Sequence, residues 1–347
     1  MTSTTLTAVP VAPRTRRDGA AHHVLAVARP FGRLVLTTVT VLFLASVVTF
    51  ALGALSKSNP AAAVLGETAT PDDIARMNHQ FGLDQPLVPR YFTWLGNALH
   101  GDLGQSWFTT VPVSDSIRQA LPVDLSIALL ALVLAIVMGV AAGVGAALRE
   151  GGLVDRAVTV VCSIVATLPP FVIGIALIVL LSVKAQLLPA GGYVAFDQSP
   201  TQWLRFAIMP ALALSLEVAA NIARQLRTSL VGALRENYAI GAEMRGYSRR
   251  RVLFGHVLRN AIAPTLAVIG MAIPLIIGGA VMTEKLFNLP GIAQLALQSA
   301  QRGDVPVVLG TLLVTAVIVL AGSLVINALQ VLLNPAARRG GAHGGPR

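Results

Sequence analysis

The sequence predicts an all-α polytopic membrane protein with six transmembrane helices and both termini in the cytoplasm. Three observations predict it. Of 347 residues, 54% are hydrophobic and only 12% charged, with mean hydropathy +0.71; globular domains carry about 25% charged residues. Six runs, 34–55, 123–148, 157–183, 206–227, 260–283 and 307–333, reach the roughly 20 apolar residues needed to cross a hydrocarbon core. With the chain alternating sides, 18 of the 26 lysines and arginines fall on the side of the N-terminus. The positive-inside rule therefore places both ends inside.

The elements follow in order. Residues 1–32, rich in Ala, Thr and Arg, read as a disordered basic cytoplasmic tail. Arg16-Arg17 is followed by Asp18-Gly19, and the next apolar run exceeds the 7–15 residues of a signal-peptide core. Residues 33–55 are thus an uncleaved first span. Residues 56–118 read as a small helical outer domain. Thr70-Pro71-Asp72-Asp73 starts one helix with a capping hydroxyl, a first-turn proline and acids. A second follows Pro86, with Leu87, Tyr91, Trp94, Leu95, Ala98 and Leu99 at helical spacing as its packing stripe.

Residues 119–335 form the membrane core, and 336–347 a cytoplasmic tail. Pro169-Pro170 in the third span, and Pro264 and Pro274 around the fifth, mark irregularities, because proline removes a backbone donor and clashes with the preceding turn. Residues 184–205 read as an outer turn with little structure. Residues 284–306 carry a short amphipathic helix on or dipping into the outer surface.

Several chemistries find no residues to carry them. The single cysteine, Cys162, lies in an apolar run and reads as a small buried side chain. The six histidines are scattered, and none pairs with acids at metal-binding spacing. No Gly-x4-Gly-Lys-Ser/Thr phosphate loop occurs, so any ATP-driven motor is another subunit. The net charge of +10 comes without a nucleic-acid-binding motif, so nucleic acid is not an expected partner. No catalytic cluster is present, which argues against an enzyme.

Two places hold residues of functional character. Glu217 is the one acid deep in a predicted span, with Asn221 four residues on along the same face. A charge there costs several kcal/mol and faces an interior or a cavity. Glu217 and Asn221 are therefore candidates for a translocation path; the competing reading is a partnered acid that holds two helices together. The other place is the arginine-rich segment 235–261 between the fourth and fifth spans. Ile240, Met244 and Tyr247 share one face, and Val252, His256 and Arg259 another. Gly241 and Ala242 are small enough for a partner to approach closely. Gly246 permits a turn between two short helices, with Ser248 placed to cap the second.

This segment resembles the coupling loop of permease subunits of dipeptide/oligopeptide/nickel-type ABC importers. The family pattern is Glu-Ala-Ala, three residues, Gly, and later an apolar residue, one position, and Leu-Pro. Ile240-Gly241-Ala242 stands at the Glu-Ala-Ala position with Gly246 in register; His256 and Leu258 match, and Arg259 replaces the proline. That departure favours peptide-type members. Further matches run from Phe81 to Leu87, through Gly101-Asp102-Leu103-Gly104-Gln105-Ser106 and Leu188-Pro189-Ala190-Gly191-Gly192, to Arg227-Thr228-Ser229-Leu230, and on to Pro290-Gly291, Asp304 and Pro306. They cover about residues 30–335.

The resemblance implies an inner-membrane permease that moves peptides by alternating access. Its partners would be a second permease, a paralogue, with two ABC ATPases and an extracytoplasmic solute-binding protein. ATP and Mg would sit on the ATPases, and this chain would bind no cofactor. A cytoplasmic coupling helix would place Ile240, Gly241, Ala242, Glu243, Arg245, Gly246 and His256 at the ATPase groove, with Ala242 and Gly246 the intolerant positions. Nickel, glutathione or haem remain alternative cargoes within the family, and an ATP-independent secondary transporter is the reading outside it.

Overall fold

The computed structural model describes residues 18–55 and 59–333, and every regular element among them is helical. Five helices are long and apolar enough to cross a membrane, or six if one bent pair counts as a single span. Helix α1 covers Asp18–Leu55 and so begins well inside the stretch expected to be a disordered tail. Ala20, Ala21, Ala26 and Ala28 are strong helix formers, and they extend the apolar run of the first span backwards. The rest of that tail and residues 336–347 lie outside the described residues.

The outer segment holds α2 (Pro60–Leu65), α3 (Pro71–Gln80) and α4 (Leu87–Leu99). Helix α3 opens with a reciprocal capping box. The Asp73 amide donates to Thr70 Oγ1, and the Thr70 amide donates to Asp73 Oδ2. On α4 the predicted stripe packs only through its middle. Tyr91 is buried against Phe50 of α1, ring centroids 5.4 Å apart, and its hydroxyl lies 2.8 Å from Ser46 Oγ. Leu87 and Leu99, at the two ends, are exposed.

Helix α5 runs Val113–Leu148, ten residues before the predicted second span. It takes residues 113–118 from the outer domain and carries Pro122 inside it. The predicted third span falls on a bent pair of helices. Helix α6 (Leu153–Val165) and helix α7 (Pro170–Leu177, continued as a π-helix to Lys184) meet at 104° around Pro169-Pro170. Helix α8 is Pro200–Leu234. It is followed by α9 (Asn237–Met244) and α10 (Arg249–Val252), the latter running through a π-helical turn at Leu253–Val257 into α11 (Leu258–Phe287). Helix α11 continues unbroken through Pro264 and Pro274, unlike the break at Pro169-Pro170. Helix α12 (Ile292–Arg302) is the short outer helix, and α13 (Val305–Leu333) ends the described chain.

Helices α5 and α8 form the centre. Ala131, Ala135, Gly139 and Gly143 recur every four residues on α5, and all are buried. A Cβ at Gly139 would lie 2.8 Å from the Ala219 carbonyl oxygen, and one at Gly143 2.8 Å from that of Ala223. Small residues at this spacing let two helix backbones approach closely, which is how helices associate where lipid removes the hydrophobic drive.

Candidate docking and translocation sites

Helix α9 is short and two-faced. Ala239 and Ala242 are fully buried in a cluster with Leu226, Leu230, Val252, Leu253 and Val257. Ile240, Glu243, Met244 and Arg245 are exposed, with Met244 84% so. Ala242 therefore does not offer its surface to a partner. Its small side chain seats α9 on the chain's own core. Gly241 is half-buried, and nothing lies within 4 Å of a Cβ placed there. The Arg245 Nε donates to the Gly241 carbonyl at 3.0 Å. The side chain of His256 lies outside what is described.

Gly246 ends the helix at φ +85°, in the left-handed region that side chains resist. Its amide donates to Glu243 O at 2.9 Å, and the Tyr247 amide donates to Ala242 O at 3.3 Å. These bonds satisfy the last carbonyls of α9 and turn the chain towards α10. Arg251 stacks over the Tyr247 ring at 4.7 Å. Tyr238, Ile240, Met244, Tyr247 and Phe254 are large apolar side chains left exposed at this basic end of the protein.

The membrane half of the site lies on α8. Asn221, Arg224, Gln225 and Thr228 line a cavity of about 550 Å³, with apolar α11 residues between Val268 and Leu275 opposite. The Arg224 Nη2 donates to Asn221 Oδ1 at 2.6 Å. Glu217 is half-buried one turn beyond Asn221 and makes no side-chain hydrogen bond or ion pair with the described residues. The cavity lining starts at Val218, so the structure brings Asn221 but not Glu217 to its wall. Arg224 and Gln225 were absent from the sequence prediction. Their signal was helical spacing: Arg224 lies three and Gln225 four residues after Asn221.

Glu217 is not the only buried acid of the spans. Glu284 is 2% exposed near the end of α11, just past the predicted end of the fifth run. The N-terminus of α12 holds it: the Gln294 amide donates to Glu284 Oε2 at 2.7 Å. Asp124 of α5 accepts the Ile292 amide at 2.7 Å. Both carboxylates line a second cavity of about 650 Å³, whose walls are mostly apolar. Towards the C-terminal end of α8, Arg227 makes a two-pronged ion pair with Asp155, at 2.6 and 2.7 Å. Among the described residues, no group of three or more His, Cys, Asp and Glu stands close enough to hold a metal ion.

Comparison with known proteins bears on this arrangement. Residues 135–339 match the family described as binding-protein-dependent transport system inner membrane component, and residues 28–128 match the N-terminal region of such membrane components. The chain is 35% identical over 306 residues to a probable peptide ABC transporter permease protein, y4tP, of Sinorhizobium fredii, covering 88% of this chain and 98% of that one. It is 34% identical over 333 residues to the di/tripeptide transport system permease protein DppB of Pseudomonas aeruginosa, covering 90% and 98%. The oligopeptide transport system permease protein AppB of Bacillus subtilis is 30% identical over 306 residues, covering 87% and 97%. A short two-faced helix between apolar helices, in a chain that matches these permeases almost end to end, leaves one assignment: the chain belongs to the binding-protein-dependent transport system inner membrane component family, as a multi-pass ABC-importer permease and a transport subunit rather than an enzyme.

Proposed function

We propose that this chain translocates peptides as one of two permease subunits of an ATP-driven importer. It crosses the inner membrane six times, with the bent α6–α7 pair as the third span and both termini inside. A paralogous permease completes the pathway, two ABC ATPases supply the motor, and a solute-binding protein delivers the peptide. ATP and Mg belong to the ATPases, and this chain binds no cofactor. The face of α9 that carries Ile240, Glu243, Met244 and Arg245, with Gly241 and the Gly246 turn, docks in the ATPase groove beside His256. Asn221 and Glu217 lie along the path.

The observation that carries this reading is the division of α9. One face is welded to the core through Ala239 and Ala242, while the other leaves Ile240 and Met244 bare at the basic end. An exposed apolar surface of this kind marks a protein contact. Movement of a partner on the bare face would reach α8 and α11 through the buried one. The peptide cargo is supported by the relatives, which are named as permeases for peptides.

The test is affinity purification in mild detergent, followed by reconstitution. Co-recovery of two ATPases, a second permease and a binding protein, with peptide uptake that stops without ATP, is the expected result. Uptake by the isolated chain without ATP would overturn it.

A further inference from the structure

Helix α8 is the most deeply buried of the five long apolar helices, yet one of its faces is polar. Glu217, Asn221, Arg224, Gln225 and Thr228 follow one another at helical spacing along a single stripe. Each is half-buried or exposed, while Val218, Ile222, Ala223 and Leu226 on the remaining faces are buried. Such a stripe costs free energy in a membrane unless it faces other protein, water or a ligand.

The stripe has opposite charges at its two ends. Glu217 has no hydrogen-bond or ion-pair partner among the described residues. Arg224 donates to the neutral Asn221 amide oxygen, while Arg227, three residues on, is fully engaged by the Asp155 carboxylate. Arg224 is thus a guanidinium at a cavity wall with no carboxylate paired to it among the described residues. Seven residues separate Glu217 from Arg224, about 10 Å along the axis and within about 20° of the same direction. An extended peptide spans about 3.3–3.6 Å per residue, so the terminal charges of a tripeptide stand about 10 Å apart and those of a dipeptide about 7 Å.

Resting on the peptide-permease reading, we propose that Glu217 and Arg224 are the two poles of a recognition stripe for short zwitterionic peptides. Glu217 receives the α-ammonium, Arg224 receives the α-carboxylate as a forked pair, and Asn221 and Gln225 meet the peptide backbone between them. The opposite wall, Val268 to Leu275, is apolar and offers no fixed partner for a particular side chain. The site therefore reads termini and length, and is tolerant of side chains. Asn221, Arg224 and Gln225 line the cavity, whose volume falls in the range that encloses small ligands, about 300–1,000 Å³, and Glu217 stands just beyond its lining, one turn from Asn221.

The test uses the assembled complex in proteoliposomes with its binding protein, reading ATP-driven uptake of trialanine against loaded binding protein. Glu217→Gln and Arg224→Gln are each expected to raise KM at least tenfold. Glu217→Asp and Arg224→Lys, which keep the charges, are expected to retain most of the uptake. Wild-type import with KM within twofold in both neutral variants would overturn the stripe and leave the peptide reading standing. Failure of the wild-type complex to import any peptide would overturn the peptide reading itself. A second measurement needs no variant: Ala-Ala-photoleucine is trapped in the wild-type complex and its adducts are mapped by mass spectrometry. Adducts within one turn of Arg224, or on Val268–Leu275, are expected. Adducts only elsewhere would overturn the assignment even if the variants do not assemble.

Discussion

Asp155 and Arg227, 72 positions apart, meet through both carboxylate oxygens, at 2.6 and 2.7 Å. The Gly151 amide adds a third hydrogen bond to Asp155 Oδ2 at 2.9 Å. Asp155 is 3% exposed at the first turn of α6, and Arg227 lies ten residues before α9. The pair ties the α5–α6 turn to the part of α8 that leads into α9. Asp155→Asn removes the charge and one strong acceptor, at a cost of about 1.5–3 kcal/mol for hydrogen bonds to a charged group. The purified complex should melt several degrees lower. Arg227→Gln in the Asp155→Asn background should add little, because both partners of one interaction are then gone. Additive losses in a double-mutant cycle would show that the two residues act separately.

At Gly139 the backbones of α5 and α8 approach closely. Its missing side chain faces the backbone oxygen of Ala219 at 2.8 Å and the Ile222 side chain at 2.7 Å. Because the obstacle includes backbone, no rotamer change relieves it. Gly139→Ala should destabilise by about 1–3 kcal/mol, the usual range for overpacking, and Gly139→Leu should abolish the folded subunit. Gly145, on the same helix with nothing within 4 Å of a Cβ, is the control, and Gly145→Ala should be silent. Yield and melting temperature in detergent decide between them.

Gly246 and Ala242 should fail for different reasons. Space around Gly246 is open, so the cost of a side chain there is the left-handed backbone alone, about 1–2 kcal/mol. Asn tolerates that region better than Val, so uptake should fall in the order Gly246, Asn, Val, while ATP hydrolysis by the complex persists. Ala242 is packed on all sides. Ala242→Leu should lift α9 from its core and lower the melting temperature as well as uptake. Equal thermal stability of Ala242→Leu and wild type would show that the residue faces the partner after all.

The long apolar helices were legible because hydropathy is a property of composition, and lipid leaves few other solutions. What hydropathy could not read were the ends. Helix α5 starts at Val113 rather than near 123 because Asp115 and Arg118 interrupt the apolar run but not the helix. Glu284 was missed for the opposite reason. A charge ended the predicted span, yet the α12 amides supply the hydrogen bond that lets the acid stay buried. The α9 segment was legible as a short helix turning at Gly246. The direction of Ala242 was not, because a small side chain serves equally for a partner's approach and for seating on the chain's own core. Arg224 carried only a spacing signal, and in the sequence it reads as one more positive-inside residue.

His79, in the last turn of α3, offers a pH readout. Its Nδ1 lies 2.7 Å from Asp84 Oδ2, both side chains exposed. The hydrogen bond and the charge of Asp84 raise the His79 pKa above its ordinary value and lower that of Asp84. A raised histidine keeps its proton longer. The pairing is complete below the unfolded pKa of about 6.5 and is lost as pH rises through the higher folded value. Carbethoxylation of His79, followed by mass spectrometry across pH, should show a midpoint that falls in the Asp84→Asn variant, and an unchanged His79 midpoint in that variant would remove the pair as the cause.

The two carboxylates at the start of α12 make the last prediction. Asp124 and Glu284 reach the helix from α5 and α11, and each takes one of its first free amides. Asp124→Ala should cost about 0.5–2 kcal/mol, the loss of one cap, and Asp124→Asn less, since an amide oxygen still accepts. Gly291 lies between the two acids. A Cβ there would stand 2.3 Å from Asp124 Oδ1 and 2.5 Å from Glu284 Oε2. Gly291→Ala should therefore be more damaging than either cap lost alone. Asp124→Ala should relieve it only in part, because the Glu284 oxygen remains in the way. Full rescue in the double variant would mean that Glu284 swings clear, and that the α11 end of this junction is looser than its burial implies.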